Sequence, residues 1–382
     1  MTPKGFTFSA VSADVKGTGG TRPDMGLIFC DREAVVSGVF TTNLVKAAPV
    51  LICMEQAARG TLRAVLANAG NANACTGEEG LEAARVLMTE AARVLGVKAD
   101  EVAPLSTGVI GVKLPTERML PKVADLARSL AVDPGVFARC IMTTDTFPKI
   151  VSRKIGKATV LGMAKGAGMI APDMATTLAV VLTDAVIDKQ GLDIITRNAI
   201  VHTFNAVTID GDTSTNDTLL ALASGYVADN IKDIEKGIFE VIQELAMLIV
   251  QDGEGATKTV TVKVRNARSE SEARRVGMAV ANSMLVKTAL FGADPNWGRI
   301  MAAIGYSKVD IDPARVGIEI SGYPVVRSGV EAEGFSEDAL HELLKEKSIL
   351  IDIDLGLGPE TFTVYTTDLS YDYVKINSEY RT

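Results

Sequence analysis

The sequence has very little histidine, with only His202 and His341 among its 382 residues. His202 lies in an apolar stretch with helical spacing, and His341 lies in a charged one. Both are therefore interpreted as structural residues. A Ser-His-Asp or Cys-His arrangement has few candidates for its general base in such a chain. A mechanism in which a main-chain amine acts as the base requires no histidine.

Cysteine is also scarce, and its spacing excludes the common metal and redox motifs. The four cysteines are Cys30, Cys53, Cys75 and Cys140. None of them forms a C-x-x-C pair, so we expect neither a zinc site nor a redox motif. Free and mostly buried thiols are expected, as in a reducing cytoplasm. Cys75 alone has a loop-like context, and no histidine lies near it in sequence to activate a thiolate.

The chain lacks an excess of positive charge and lacks long apolar runs. Its net charge of −8 and pI of about 5.1 disfavour nucleic acid and anionic membrane surfaces as partners. No apolar run reaches the length needed to span a bilayer. The segment Met1–Phe6 shows no basic region followed by an apolar stretch, so no secretory signal is predicted. With 47% hydrophobic residues, the chain can bury the cores of two or three lobes of a cytoplasmic enzyme.

Alternating and helical patterns of apolar residues follow one another along the whole chain. This mixture favours stacked α and β layers over a solenoid. Strands are predicted at 26–30, 34–40, 49–53, 64–68, 158–163, 177–184, 258–264, 316–320, 349–354 and 362–365. Helices are predicted at 78–96, 115–130, 191–205, 230–250, 269–288 and 336–347.

The most informative segment runs from Lys165 to Asp184. A lysine, two glycines and Pro172 lead to Thr176, and the apolar run Leu178–Leu182 follows. Glycine and proline chemistry that delivers a hydroxyl residue to the start of a buried strand suits a nucleophile. Glycine-rich turns before apolar strands also occur as plain connections. The segment alone leaves both interpretations open.

A series of separated motifs, in a fixed order, gives the chain a family resemblance over essentially its whole length. They are Pro3–Phe6, Gly38–Val50, Asn68–Gly77, Ser106–Gly111, Met142–Lys149, Lys165–Asp184, Asn205–Asp217, Asp252–Lys258, Ala293–Arg299 and Asn377–Thr382. By these motifs the chain resembles the ornithine acetyltransferases, the bifunctional glutamate N-acetyltransferases of the arginine pathway. It departs from the pattern at Thr177, where a methionine is expected, and at Ala69, where a serine is frequent. Neither departure touches the chemistry that the resemblance implies.

The resemblance implies an α/β fold, a layered αββα-type sandwich of the kind shared with DmpA-like aminopeptidases. Residues 1–280 would form the catalytic sandwich, and residues 281–382 a smaller C-terminal α/β lobe whose tail returns to the active site. It also implies self-cleavage of the Ala175–Thr176 bond into chains 1–175 and 176–382, assembled as an α2β2 heterotetramer. The sequence leaves open whether this chain is cleaved.

The nucleophile in that family is the Thr at the new N-terminus, which the resemblance identifies as Thr176. Its Oγ would attack the Ala175 carbonyl, and hydrolysis of the resulting ester would free the α-amine. An α-amine has an unperturbed pKa of about 7.7–8.0, so it can act as a base beside the hydroxyl near neutral pH. The Thr107 hydroxyl and the Gly108 N–H resemble the oxyanion hole of the family. An ordinary turn would also explain the glycine.

Substrate contacts are the remaining roles that the resemblance assigns. The residues are Thr144, Lys165, Thr176, Glu254, Asn377 and Thr382. Lys165 is the cation nearest the nucleophile in sequence, and Glu254 is expected to hold the acceptor's ammonium. Thr143 stands beside Thr144, and the sequence does not fix which of the two points inward.

The implied reaction moves the acetyl group of N-acetyl-ornithine to glutamate through an acetyl-Thr176 ester and releases ornithine. No cofactor is required, and the sequence does not settle whether acetyl-CoA is also a co-substrate. Asp210, Asp212 and Asp217 lack EF-hand spacing, so they are interpreted as part of a hydrogen-bonded loop with no metal. Two alternatives stay open. One is a related N-terminal-nucleophile aminopeptidase or amidase, and the other is an uncleaved, non-catalytic metabolite-binding homologue.

Overall fold

The computed structural model describes residues 1–171 and 177–379. Predictions that concern Ala175, Thr176 and Thr382 therefore lie outside the described residues. Within the described ranges, strands and helices alternate along the chain and build two sheets with helices packed against them. The predicted layered α/β class is confirmed.

The larger sheet contains eight strands in the order β4-β3-β2-β8-β7-β6-β5, with β1 paired to β2. The strands are β1 (Phe6–Val11), β2 (Met25–Phe40), β3 (Thr61–Asn71), β4 (Val102–Val109), β5 (Lys149–Ile155), β6 (Ala158–Lys165), β7 (Leu178–Ala185) and β8 (Thr218–Val227). β7 is an interior strand, antiparallel to β6 and parallel to β8. All eight of its residues are buried, which accounts for the apolar run Leu178–Leu182 at its start.

Six helices surround this sheet in the described part of the chain. They are α1 (Ala48–Arg59), α2 (Gly77–Leu95), α3 (Thr116–Arg128), α4 (Gly135–Cys140), α5 (Lys189–Val201) and α6 (Ile231–Gln251). α6 packs on β5 and β6, and α5 packs on β2. Leu192 of α5 and Leu245 of α6 share one hydrophobic core with Val181 of β7. This core holds β7 from one side and fixes the position at which the strand begins.

The smaller sheet has the strand order β12-β11-β10-β13-β9-β14. Its strands are β9 (Thr259–Ala267), β10 (Gly317–Ile320), β11 (Tyr323–Arg327), β12 (Val330–Glu331), β13 (Ser348–Asp354) and β14 (Glu360–Thr367). The helices of this half are α7 (Glu270–Ala281), α8 (Met284–Phe291), α9 (Trp297–Gly305), α10 (Glu337–Leu344) and α11 (Tyr371–Glu379). α7 packs on β9 and β14. A domain boundary near residue 280 stays a prediction, and β9 of this sheet precedes that position.

The prediction of a strand at 49–53 is wrong, because these residues lie in α1. Pro49 stands in the first turn of that helix, where a missing N–H and a fixed φ are tolerated. Gly60 ends the helix in the left-handed conformation, with a φ of 97°. Ile52 and Gln56 are buried on the face that the helix presents to the core. A short apolar run cannot be assigned to a strand or a helix by periodicity alone.

The single helix predicted at 269–288 is two helices. α7 ends at Ala281, and Ser283 then caps α8 by accepting a hydrogen bond from the Val286 N–H. α4, α9 and α11 were not predicted. α11 buries none of its residues, so its sequence carries no apolar stripe that would reveal a helix. None of the helices within 1–171 and 177–379 combines the length and the hydrophobicity that a bilayer crossing requires.

Candidate active site

A cavity of about 220 Å³ lies where the ends of β4 and β6 meet the starts of β7 and β8. It brings together six of the predicted site residues, which are Thr107, Gly108, Thr144, Lys165, Glu254 and Asn377. Thr143 also lines the cavity, so both neighbouring threonines contribute to its wall. Thr176 and Thr382 lie outside the described residues. Thr177, which follows Thr176 directly, lines the cavity.

The start of β7 is fixed by its two neighbouring strands. Leu178 is in register with Lys165 on β6 and with Thr218 on β8. The Thr218 N–H donates a hydrogen bond of 2.9 Å to the Thr177 carbonyl. Lys165 and Asp217, the residue before Thr218, therefore lie on either side of the point at which β7 begins.

An asparagine joins the end of β4 to the start of β8. The Asn216 Nδ2 donates to the Ala72 carbonyl at 2.6 Å and to the Ser106 carbonyl at 2.8 Å. The Ser106 hydroxyl donates in turn to Asn68 Oδ1 at 2.7 Å. Because these side chains are buried and hydrogen-bonded, they hold the backbone before Thr107 in one position.

Gly108 occupies a position that only glycine fits. Its φ of 131° is rarely adopted by residues with a side chain, and an added Cβ would lie 2.3 Å from the Gly70 carbonyl carbon. Close packing of β4 on β3 is therefore sufficient to explain the glycine. The same close packing places Gly108 beside Thr107 in the wall of the cavity. Both the structural and the oxyanion-hole interpretation are compatible with this geometry.

A buried ion network lies behind the cation of the cavity. Lys149 is fully buried and forms ion pairs with Asp145 and Asp252. Asp145 Oδ1 also accepts a hydrogen bond of 2.7 Å from the Gly166 N–H, and its Oδ2 accepts one of 2.9 Å from the Thr143 N–H. Burial alone would raise the pKa of the Asp145 carboxyl, but Lys165, Lys149 and the Gly166 N–H lower it to about 2. The network therefore connects the three chain segments that contribute Thr143, Lys165 and Glu254 to the cavity.

Glu254 and Asn377 meet on another wall of the cavity. Asn377 Nδ2 donates to Glu254 Oε2 at 2.8 Å, and the Glu254 N–H donates to the Ala167 carbonyl at 2.9 Å. An added Cβ at Gly168 would lie 2.2 Å from Glu254 Oε2, so the glycine-rich segment makes room for this carboxylate. α11 thus contributes Asn377, a residue named only by resemblance, to this wall of the cavity.

Three further cavity residues were not predicted as site residues. Asp210 accepts hydrogen bonds from the Met169 N–H at 2.6 Å and the Ile170 N–H at 2.8 Å, and burial raises its pKa. Tyr373 of α11 and Asp217 line the same cavity. The pKa of Tyr373 is raised by burial and by the neighbouring Asp210 carboxylate. The acidic run that contains Asp210 and Asp217 is a signal in the sequence, whereas nothing in the sequence distinguishes Tyr373.

Metal binding receives no geometric support from the part of the chain that the structure describes. In residues 1–171 and 177–379, no three histidine, cysteine, aspartate or glutamate side chains are grouped so that they could hold an ion. The cavity instead mixes one lysine with four carboxyl groups and several hydroxyls in its described lining. Such a lining fits a small ligand that carries both an amino group and a carboxylate.

Comparison with known proteins gives matches over the whole chain. The family model described as the ArgJ family matches residues 7–382. The arginine biosynthesis bifunctional protein ArgJ of Geobacter sulfurreducens is 50% identical over 396 residues, which cover 100% of both chains. The protein of the same name from Caldanaerobacter subterraneus is 47% identical, with 100% of this chain and 98% of the relative covered.

Solved structures also match. The crystal structure of the arginine biosynthesis bifunctional protein ArgJ from Bacillus halodurans is 38% identical, with a TM-score of 0.50. The match covers 52% of this chain and 96% of that chain, so the solved chain is about half as long as this one. The ornithine acetyltransferase of Mycobacterium tuberculosis, solved with ornithine, is 41% identical with a TM-score of 0.44, covering 45% of this chain and 94% of that one.

Proposed function

The chain belongs to the ArgJ family, and from this membership we propose that its cavity transfers the acetyl group of N-acetyl-ornithine to glutamate in arginine biosynthesis. The relatives are named as bifunctional proteins. The second activity that we assign to the same cavity is the acetylation of glutamate by acetyl-CoA, which would act as a co-substrate.

The observation that carries this proposal is the set of groups gathered around the start of β7. Hydroxyl and N–H donors at Thr107 and Gly108, the cation of Lys165 and the carboxylate of Glu254 all line one cavity with Thr177. An acyl-transfer site needs a nucleophile, donors for the oxyanion and charges that bind the substrate. Thr176 is covalently linked to Thr177, which lines this cavity, and this supports the assignment of Thr176 as the nucleophile.

In the proposed mechanism, Thr176 becomes an N-terminal residue by attack of its Oγ on the Ala175 carbonyl, followed by hydrolysis of the ester. The free α-amine then accepts the hydroxyl proton as Oγ attacks the acetyl carbonyl of N-acetyl-ornithine. The C–N bond breaks, and its electron pair and the proton go to the ornithine nitrogen. Glutamate attacks the acetyl ester in the second half-reaction and regenerates the hydroxyl.

The length of the solved Bacillus halodurans chain supports the cleavage step. A break before Thr176 would divide this chain into fragments of roughly equal length, and the solved chain is about half as long as this one. We further propose that the two fragments, 1–175 and 176–382, assemble as α2β2 in the cytoplasm. Light scattering after gel filtration would then give about twice the mass of the 40.4 kDa chain.

Cleavage and acetylation are tested together by a matched pair of variants at Thr176. Thr176→Ser keeps a hydroxyl, so we expect it to give two fragments on a denaturing gel and to retain acetyl transfer. Thr176→Ala removes the hydroxyl, so we expect one intact chain without transfer activity. Incubation of the cleaved wild type with N-acetyl-ornithine alone should add one acetyl group to the fragment that begins at Thr176, measured by intact mass.

Each alternative function gives a different result in these assays. An aminopeptidase or amidase would be cleaved but would transfer the acyl group to water, so ornithine would appear without N-acetylglutamate. A metabolite-binding homologue would stay as one chain in the wild type. Efficient cleavage of Thr176→Ala would remove Thr176 from the mechanism.

A further inference from the structure

Asp217 is a buried carboxyl group with an unused hydrogen-bonding position in the wall of the cavity. Its side chain is only 3% exposed, and it lines the cavity at the start of β8. Ser214 hydrogen-bonds to the carboxyl group. Oδ2 has no hydrogen-bond partner in the part of the chain that the structure describes. A buried polar atom without a partner is costly, so such an atom in a cavity wall indicates a ligand contact.

The backbone around Asp217 is fixed by hydrogen bonds on both sides. The Asp217 carbonyl accepts a hydrogen bond of 2.9 Å from the Thr41 N–H, and the next residue, Thr218, donates one of 2.9 Å to the Thr177 carbonyl. The carboxyl group is therefore held beside the beginning of β7, next to the segment that carries the proposed nucleophile. Because the carboxyl group is held in one position, it can contact specific atoms of a ligand at the reacting centre.

Lys165 lies close enough to Asp217 for the two charges to interact. Burial raises the pKa of the Asp217 carboxyl, and the nearby Lys165 ammonium acts in the opposite direction. Lys165 makes no ion pair or hydrogen bond within residues 1–171 and 177–379, and the Asp145 carboxylate is also close enough to interact with its charge. The cavity thus presents a cation and a carboxyl group whose charges interact, and Asp217 Oδ2 has capacity for a further partner.

This pairing matches the head group that both amino-acid substrates share. In ornithine and in glutamate, the α-carboxylate and the reacting α-nitrogen are separated by a single carbon atom. We propose that Lys165 and Asp217 form an α-amino-acid clamp, in which Lys165 binds the α-carboxylate and Asp217 Oδ2 accepts a hydrogen bond from the α-nitrogen. This inference deepens the proposed function and depends on it for the identity of the substrates.

The clamp changes the role expected of Glu254. Sequence reasoning assigned the acceptor's ammonium to Glu254, but its Oε2 already accepts a hydrogen bond of 2.8 Å from Asn377. Asp217 is buried more deeply, and within the described ranges its Oδ2 has no hydrogen-bond partner. We therefore assign the α-nitrogen of either substrate to Asp217.

The test compares a ligand that has the amine with one that lacks it. Glutamate and glutarate share both carboxylates and differ in the α-amino group. Calorimetric titration of the cleaved enzyme with each ligand gives two dissociation constants. For Asp217→Asn, we expect affinity for glutamate to fall about 10- to 100-fold, because a charge-assisted hydrogen bond is lost. We expect affinity for glutarate to change less than about threefold, since the contact that is lost does not exist for that ligand.

A matched control separates amine recognition from a general effect on the fold. Asp184 is also a buried aspartate, it lies near the other end of β7, and it accepts hydrogen bonds from the Lys4 N–H and the Thr159 N–H. Asp184→Asn is expected to lower the unfolding temperature without changing the ratio of the two dissociation constants. Where Asp217→Asn does not fold, Asp217→Glu keeps a carboxyl group and is expected to retain the preference for glutamate.

Three outcomes would overturn the clamp. Equal weakening of glutamate and glutarate in Asp217→Asn would indicate a structural role, and unchanged affinity for both would exclude the contact. An amine-specific loss in Glu254→Gln with none in Asp217→Asn would assign the α-nitrogen to Glu254. Acetyl transfer by the wild type is measured separately. An inactive wild type would contradict the proposed function, whereas the dissociation constants for glutamate and glutarate would still test the clamp.

Discussion

At the residue scale, Thr107 and Gly108 differ in what a substitution can test. A side chain at Gly108 would collide with the backbone of Gly70, so any loss of activity would be confounded by a change in the packing of β4 on β3. Thr107 is only partly buried and lies in the cavity wall, so its hydroxyl can be removed with little change in volume. The oxyanion hypothesis is therefore tested at Thr107.

Thr107→Val is predicted to lower kcat about 100- to 1,000-fold, because one donor to the oxyanion is lost. The unfolding temperature should stay close to that of the wild type, since valine has almost the same shape. Steady-state kinetics with N-acetyl-ornithine and glutamate would measure the effect. Thr89→Val, at an exposed threonine of α2, is the control and should leave kcat unchanged. A fully active Thr107→Val enzyme would show that the hydroxyl does not stabilise the oxyanion.

At the element scale, the buried ions Asp145, Lys149 and Asp252 connect segments that are far apart in sequence. Asp145 follows the Thr143–Thr144 pair, Lys149 begins β5, and Asp252 follows α6 and precedes Glu254. An ion network of this kind is stabilising only while it is complete, because a single missing partner leaves a buried charge unpaired. The network therefore holds in place the loop that contains Thr143 and Thr144, the loop that contains Glu254, and the end of β6.

Lys149→Met is predicted to lower the free energy of unfolding by about 3–5 kcal/mol, because both carboxylates lose their buried partner. Urea unfolding at neutral pH would measure this change. Lys154→Met changes an exposed lysine on the same strand and is expected to stay within about 0.5 kcal/mol of the wild type. A small effect of Lys149→Met would mean that water or a proton compensates the two carboxylates.

Acid should weaken the same network. The pKa of Asp145 is about 2 in the folded protein and 3.8 as its ordinary value, so its stabilising contribution is complete above pH 3.8 and is lost as the pH falls toward 2. The difference corresponds to about 2 kcal/mol. Asp145→Asn removes this titration, so its unfolding free energy should fall less steeply than that of the wild type between about pH 5 and pH 2. Equal slopes in urea titrations at several pH values would contradict the assignment.

At the scale of the whole molecule, the sequence predicted the layered α/β class and most long strands, because half-buried strands and amphipathic helices have clear periodicity and apolar runs such as Leu178–Leu182 indicate buried strands. It did not predict α11, none of whose residues is fully buried, or the strand order of the larger sheet. Glu254 and Asn377 were named by resemblance, and the two residues are 123 positions apart in the chain. Asp217 was named only as part of a loop. In the described residues its Oδ2 is buried without a hydrogen-bond partner, and this feature results from packing that the local sequence does not encode.

The strand order also determines what cleavage would do to stability. β8 and β7 come from the proposed fragment 176–382, and they lie between β2 and β6 of the proposed fragment 1–175. Both edges of the β7–β8 pair are therefore hydrogen-bonded to the other fragment, and core residues such as Val181 and Leu222 are buried among its side chains. The fragments should remain associated after the peptide bond is broken.

We predict that the cleaved protein elutes as one species under native conditions and separates into fragments only when it unfolds. Because its unfolding releases two chains, the urea midpoint should rise with protein concentration more steeply than that of uncleaved Thr176→Ala, whose halves remain covalently joined. Circular dichroism at several concentrations would measure both midpoints, and Thr176→Ser would serve as the cleaved control. Identical concentration dependence in cleaved and uncleaved proteins would show that the fragments separate at another step. Dissociation in native buffer would contradict the interleaved strand order itself.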